Sequence, residues 1–399
     1  MSLLDRGLTY GGQRLGSYDL LDRPRAFLNR GSRHREHLDS AHLRIGVSGI
    51  RGKSSTAKLL GQVFTERGYD TYTKITGDHP TSFHNGVQSP IQRKGPRVTL
   101  YENLNLVREF LPQLARTAPE DVVIMENQAI TEYTMRVVNE QYLRPNVLVF
   151  CNVRQDHNDT LGKRRQTIAR SFARSVPNGC HVISGEQHPV IHDYLRREIE
   201  KRGATIEQVE IPDEHTDFVG AETVHAIDHV LEYADEPPLP EERIRSLLEG
   251  IQPEWTHLPE GRVFNAAKVN EIESTELFRR LLAGTGDDAE LVVPFVFLRA
   301  DRRGRTASFV EYVNLLADRE LIDRVHVGGA YTGVFARNVD VPATQHDTDT
   351  RSASDVLDDL LAEGQPVMFM ANTVHPFMRH LVSEVERRAA GGTVELPPY

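Results

Sequence analysis

The chain has 399 residues, 39% of them hydrophobic and 26% charged, with a net charge of −10. That length suits two domains with ordinary cores, and the acidic balance speaks against nucleic acid as the main partner, because neutralising phosphates needs a basic field. The two cysteines, Cys151 and Cys180, form neither a disulfide framework nor a C-x-x-C pair, and no apolar run approaches the roughly 20 residues that span a bilayer. With no apolar leader at the N-terminus, the sequence predicts a cytoplasmic setting.

Residues 1–42 form an arginine-rich arm broken by Gly and Pro, in which Tyr18–Leu28 has the pattern of a short amphipathic helix. From Leu43 the rhythm changes to alternating strand and helix. Leu43–Val47 reads as a buried strand, and Ser54–Arg67 as a helix with Leu59, Leu60, Val63 and Phe64 on one face. Val122–Met125 and Val147–Cys151 are apolar runs of strand length. This alternation predicts an α/β fold with a parallel sheet covered on both faces, whose ligands gather at the carboxyl ends of the strands. A break at Glu236–Pro240 and the prolines 253 and 259 separate residues 43–255 from residues 256–399, a smaller Rossmann-like α/β domain. The latter contributes strand patterns at Leu291–Leu298, Arg324–Val327 and Val367–Ala371.

The segment Ile45–Ser55 reads IGVSGIRGKSS, a strand feeding a glycine turn and then a helix. Glycines at 49 and 52 let backbone N–H groups from Ser48 to Ser55 approach phosphates, and the helix N-terminus adds partial positive charge. Lys53 can reach the outer phosphates, and the hydroxyl of Ser54 or Ser55 can bind Mg²⁺. The match to the Walker pattern G-x-x-x-x-G-K-[ST] is incomplete, since Val47 stands at the first glycine position. Two further clusters end the next strands: Glu126 follows Val122–Met125, and Asn152 opens NVRQDHNDTLG, which carries Asp156, His157 and Asp159. A carboxylate there can ligate Mg²⁺. An imidazole is a less usual ligand for that ion, and His157 read alone fits a loop or capping role as well.

In this order, the pieces resemble the Mur ligase superfamily and, more closely, the poly-γ-glutamate synthase ligase subunits of the CapB/PgsB family. The family's loop form [ST]-G-x-x-G-K-[ST] is met by SGIRGKS, and its N-V-R-x-D-H-x-D-x-x-G by Asn152–Gly162. Looser likenesses are TKITGDHP at 73–80, ENQAI at 126–130, FNAAKVNEIEST at 264–275 and LRADRRGRT at 298–306. The relatives' glycine-rich C-terminal motif is reduced here to Ala371-Asn372.

The resemblance implies an ATP-dependent, ADP-forming amide ligase acting on glutamate and a poly-γ-glutamate chain. Lys53 and Ser54 would hold the phosphates and Mg²⁺, with Glu126 and His157 as metal ligands. Asn270, Arg299, Asp301 and Arg302 would reach the nucleotide from the second domain, and the domains would close over ATP. A small membrane protein is the implied partner, through which the chain would meet a membrane; self-association is left open. Arg51, Arg93, Lys94, Arg164 and Arg165 are candidates for a product groove or simply solvated charges. The alternatives are a folylpolyglutamate- or peptidoglycan-type ligase of the same superfamily, and a P-loop kinase or nucleotide sensor.

Overall fold

The computed structural model describes residues 30–76, 80–91, 121–128, 131–155, 161–162, 164–269, 271–300, 303–371 and 375–391. The Tyr18–Leu28 pattern lies outside them. The chain divides into two units after Leu248.

The described part of the first unit holds an eight-stranded sheet in the order β4-β3-β2-β5-β1-β6-β7-β8. Its strands are β1 (Leu43–Ser48), β2 (Asp70–Ile75), β3 (Thr81–His84), β4 (Val87–Pro90), β5 (Asp121–Glu126), β6 (Val147–Phe150), β7 (His181–Ser184) and β8 (Thr205–Gln208). From β2 to β8 in that order every pairing is parallel, and the β3–β4 hairpin joins the edge antiparallel. Strands covered on both faces cannot alternate in polarity, which is why β5 reads VVIM and each of those four residues is fully buried.

The helix Lys53–Glu66 covers one face through Ala57, Leu60, Val63 and Phe64, each large side chain contributing about 1.5–3 kcal/mol of apolar burial. It approaches closely because Gly61 has no side chain: a Cβ there would fall 2.2 Å from Thr73 Oγ1. The other face packs Leu148, Phe150 and Val182 against the helices Arg165–Arg174 and Pro189–Glu200. The continuous apolar runs and the first helix are where the sequence placed them. The short strands β3 and β4 carried no such signal, and β4 is exposed along its whole length.

In the second unit a six-stranded sheet runs β13-β12-β11-β14-β10-β9. Its strands are β9 (Thr256–Leu258), β10 (Gly261–Asn265), β11 (Val293–Leu298), β12 (Val325–Gly329), β13 (Ala343–His346) and β14 (Val367–Ala371). Only β9 pairs antiparallel. Phe295, Phe297 and Phe369 pack on one face against Phe377, Met378 and Leu381 of the helix Pro376–Ala389. The fold is therefore α/β with parallel-dominated sheets, as the strand–helix alternation implied.

Two buried histidines couple β12, β13 and the helix Ala353–Leu361. His326 Nδ1 lies 2.8 Å from His346 Nε2, His326 Nε2 lies 3.2 Å from Glu363 Oε1, and an Arg351 guanidinium nitrogen lies 3.2 Å from His346 Nδ1. Arginine can only donate, so His346 Nδ1 accepts, its Nε2–H donates to His326, and His326 Nε2–H donates to Glu363. Both rings are neutral in that arrangement. Burial pushes both imidazoles below their ordinary range, His346 to about 4, while Asp359 and the Arg324–Glu363 ion pair border the chain. The neutral pair stabilises the fold fully above pH 6.5, and that contribution is lost as pH falls toward 4. Unfolding measured between pH 7 and pH 4 should show a loss of up to about 3 kcal/mol from this source; His346→Phe should flatten that part of the profile.

Candidate active site

The central strand β1 pairs with β5 on one side and β6 on the other, so the loops leaving all three meet at one edge of the sheet. After β1 the chain turns through Gly49, at φ +119°, and Gly52, at φ +84°. Both values favour glycine. A Cβ on Gly49 would sit 3.0 Å from the backbone nitrogens of Cys151 and Asn152.

Gly52 is the N-cap of the helix Lys53–Glu66 and supplies no side-chain hydrogen bond to it. The first-turn N–H groups thus lack the side-chain acceptor that usually satisfies them, the condition that makes a helix start an anion site. Lys53 Nζ folds back to donate to Ile50 O at 3.0 Å. Ser48 Oγ is buried without a hydrogen-bond partner. Behind the loop, Thr56 Oγ1 donates to Gly52 O at 2.9 Å and lies 3.3 Å from Cys151 Sγ. Burial pushes that thiol up to about 12, which leaves it protonated and inert at neutral pH.

Glu126, the last residue of β5, is 3% exposed. One carboxylate oxygen accepts from Ser54 Oγ and from Thr76 N, each at 2.9 Å. Burial raises its pKa, and the nearby Lys53, the two hydrogen bonds and Lys74 pull it back down. The Ser54 hydroxyl and the Glu126 carboxylate are hard oxygen donors in contact, the chemistry that suits a small divalent cation. Ser55 is exposed. Among the described residues no group of three or more His, Cys, Asp or Glu side chains forms a metal cluster.

Asn127 continues the strand by donating its backbone N–H to Val47 O at 2.7 Å. Its side chain reaches Asn139 Oδ1 at 2.9 Å in the π-helix Val138–Leu143, and Asn139 in turn donates to Ser175 O at 2.9 Å. This buried amide chain pins the backbone just past Glu126.

After β6, Asn152 sits against the glycine loop. Its Oδ1 accepts from Arg51 N at 3.0 Å, and its Nδ2 donates to Arg51 O at 3.3 Å. His157, further along this segment, lies outside the described residues, as do Asn270, Asp301 and Arg302. Arg299 is half-buried just past the end of β11 in the second unit. Ser274 and Thr275 are buried in the first turn of the helix Ile272–Ala283, where Glu271 accepts from Ser274 N at 2.8 Å.

The structure thus brings Ser48, Gly49, Gly52, Lys53, Ser54, Glu126 and Asn152 to one edge of the first sheet. Lys74, fully buried on β2 and electrostatically coupled to Glu126, was not singled out by sequence reasoning. A lysine in the TKI run could have been noticed, since lysine is almost never fully buried unless paired.

Residues 256–388 match the family model described as the poly-gamma-glutamate synthase CapB C-terminal domain. The chain is 24% identical over 304 residues to PGA synthase CapB of Bacillus subtilis, covering 70% of this chain and 74% of the relative. It is 26% identical over 175 residues to the capsule biosynthesis protein CapB of Bacillus anthracis, covering 43% and 36%. The second unit thus resembles a CapB C-terminal domain, and the longer alignment makes the chain similar to CapB proteins.

Solved structures of folylpolyglutamate synthases are similar in fold. A bifunctional folylpolyglutamate synthase/dihydrofolate synthase of Yersinia pestis, complexed with AMPPNP and a Mn ion, aligns with TM-score 0.59 at 16% identity over 95% of this chain and 96% of that one. E. coli FolC with ADP aligns with TM-score 0.61 at 17% identity over 91% and 95%. These likenesses establish the fold this chain shares with them.

Gly49 offers a direct check on the loop. In Gly49→Ala the methyl meets backbone atoms, whereas at Gly68, with φ +90°, nothing lies within 4 Å. Both variants incur about 1–2 kcal/mol from the left-handed backbone. Urea unfolding should show Gly49→Ala less stable than Gly68→Ala by at least about 1 kcal/mol.

Proposed function

We propose that this chain is an ATP-dependent, ADP-forming ligase that activates a glutamate γ-carboxyl as an acyl phosphate and joins it to the amine of another glutamate, extending poly-γ-glutamate. The observation that carries the reading is the Ser54–Glu126 contact beside Lys53, at a helix start that no side chain caps, in a chain whose residues 256–388 match the CapB C-terminal domain model.

The chemistry asks two things of these residues. A carboxylate is a poor electrophile, so its oxygen must first displace ADP from the γ-phosphorus. The amine then attacks the acyl carbon, phosphate leaves, and the nitrogen gives up its proton. The chain's contribution is positioning and charge stabilisation. In this reading the first-turn N–H groups of the helix Lys53–Glu66 hold the β- and γ-phosphates. Lys53 swings from Ile50 O to the phosphoryl oxygens and neutralises the charge that builds on them. Ser54 and Glu126, with His157, are the groups that would hold Mg²⁺, which when bound supplies Lewis-acid polarisation of the phosphates. The assignments of Asn270, Arg299, Asp301 and Arg302 to the nucleotide belong to the same proposal, as do the domain limits 43–255 and 256–399. So does a membrane-protein partner: among the described residues no helix is long and apolar enough to cross a membrane.

Mass spectrometry of products from ATP, Mg²⁺ and glutamate or oligoglutamate tests the reading. The expected product is a ladder of glutamate additions that forms with ADP. Lys53→Ala should lower the rate by at least about 100-fold, the scale of losing a group that stabilises transition-state charge. Undiminished product from Lys53→Ala, or glutamate-independent ATP hydrolysis with no amide formed, would overturn it. Addition of glutamate to a folate but not to oligoglutamate would move the chain to the folylpolyglutamate class.

A further inference from the structure

Three loops converge at the carboxyl edge of the first sheet, and the short backbone stretch Cys151–Val153 lies between the other two. On one side it holds the glycine loop. Cys151 N donates to Ser48 O at 3.0 Å and Ile50 N donates to Asn152 O at 3.1 Å. The Asn152 side chain then pairs with both backbone groups of Arg51, at 3.0 and 3.3 Å, as a neighbouring strand would.

On the other side the stretch is held by the loop after β7. Gly185 N donates to Phe150 O at 2.7 Å. The carboxylate of Glu186, 5% exposed, accepts from Val153 N at 2.6 Å through one oxygen and from His188 N at 2.8 Å through the other. Both flanking loops approach on a glycine. A Cβ on Gly185 would lie 2.6 Å from Cys151 O, and one on Gly49 would lie 3.0 Å from Cys151 N.

We propose that Asn152 and Glu186 are positioning residues that clamp the backbone after β6 from its two sides and so fix the shape of the phosphate loop, without touching the nucleotide themselves. The inference rests on the nucleotide-binding reading above and sharpens it. The Asn152 amide is fully engaged, its Oδ1 on Arg51 N and its Nδ2 on Arg51 O and the buried Glu222 carboxylate, so its part is to shape the loop rather than to contact a phosphate. The amides of Ile50 and Arg51 are likewise turned toward Asn152. The phosphates are then left to the helix start at Gly52–Ser55, whose register the clamp sets. A displacement of about 1 Å in such a loop can cost 100-fold in rate.

The experiment uses the full chain, with ADP binding by calorimetry, Michaelis constants for ATP and for glutamate, and melting without nucleotide. Asn152→Ala should raise the ADP dissociation constant and the ATP KM by about 10- to 100-fold while leaving the glutamate KM within about twofold. Asn152→Asp keeps the acceptor for Arg51 N but loses the donor to Arg51 O and sets a carboxylate beside Glu222, so its ADP affinity should fall at least as far as that of Asn152→Ala. Glu186→Gln retains one carbonyl acceptor for the two N–H groups and should move the same ATP parameters in the same direction. Unchanged ADP affinity in Asn152→Ala and Asn152→Asp would overturn the clamp, as would equal losses in both substrates' KM. A wild-type chain that binds no ADP would instead sink the nucleotide reading itself, so the two failures are told apart.

Discussion

The hydrogen bonding of β1 to β5 on one side and β6 on the other is the constraint from which the rest follows. With β1 central, Glu126 and Asn152 come from separate stretches of chain yet each ends within a hydrogen bond of the glycine loop and its helix start. Parallel pairing makes this automatic: all three strands finish at the same edge, and their loops leave in the same direction. The register is what tunes it. Val47 pairs with Glu126 and Ser48 with Phe150, so the carboxylate and the start of the β6 loop lie level with the turn.

That arrangement puts ionisable groups where water is scarce. Glu126 is buried almost completely, which by itself would favour the neutral acid. Two lysines, a hydroxyl and a backbone N–H oppose that tendency. Truncating one of these groups would leave the others unmatched, because a buried charge without its partners costs more than the pair contributes. The same logic runs in reverse at the His326–His346 pair, where burial keeps two ionisable groups neutral.

Much of this was legible in the sequence because its physical causes are local. Strands buried on both faces must be apolar runs, and β1, β5, β6, β11, β12 and β14 were visible for that reason. The glycine turn before Lys53 was legible because only glycine tolerates its backbone angles. What escaped has non-local causes. The edge strands β3 and β4 owe their form to pairing with β2 rather than to composition. Lys74 carries the same letters as any surface lysine, and only the fold buries it. Asn152 was readable as a site residue through its motif. Its bond pattern was not, since a sequence gives no sign that a side chain will mimic a strand and pair with Arg51. Glu186 stands outside every motif and gains meaning only from the two N–H groups it accepts.

The absent side-chain cap at Gly52 ties binding to folding. A serine or aspartate there would satisfy the first turn within the chain, and substitution of such caps typically changes stability by about 1 kcal/mol. With glycine, the helix Lys53–Glu66 begins with donors whose best partner comes from solution. On the proposed reading, an anion that occupied them would complete the helix as well as fill the site. The helix also carries much of one face of the first core, so its completion is felt throughout that unit. Stability and occupancy then become one quantity that rises logarithmically with ligand concentration, and the unit is at its loosest when the loop is empty.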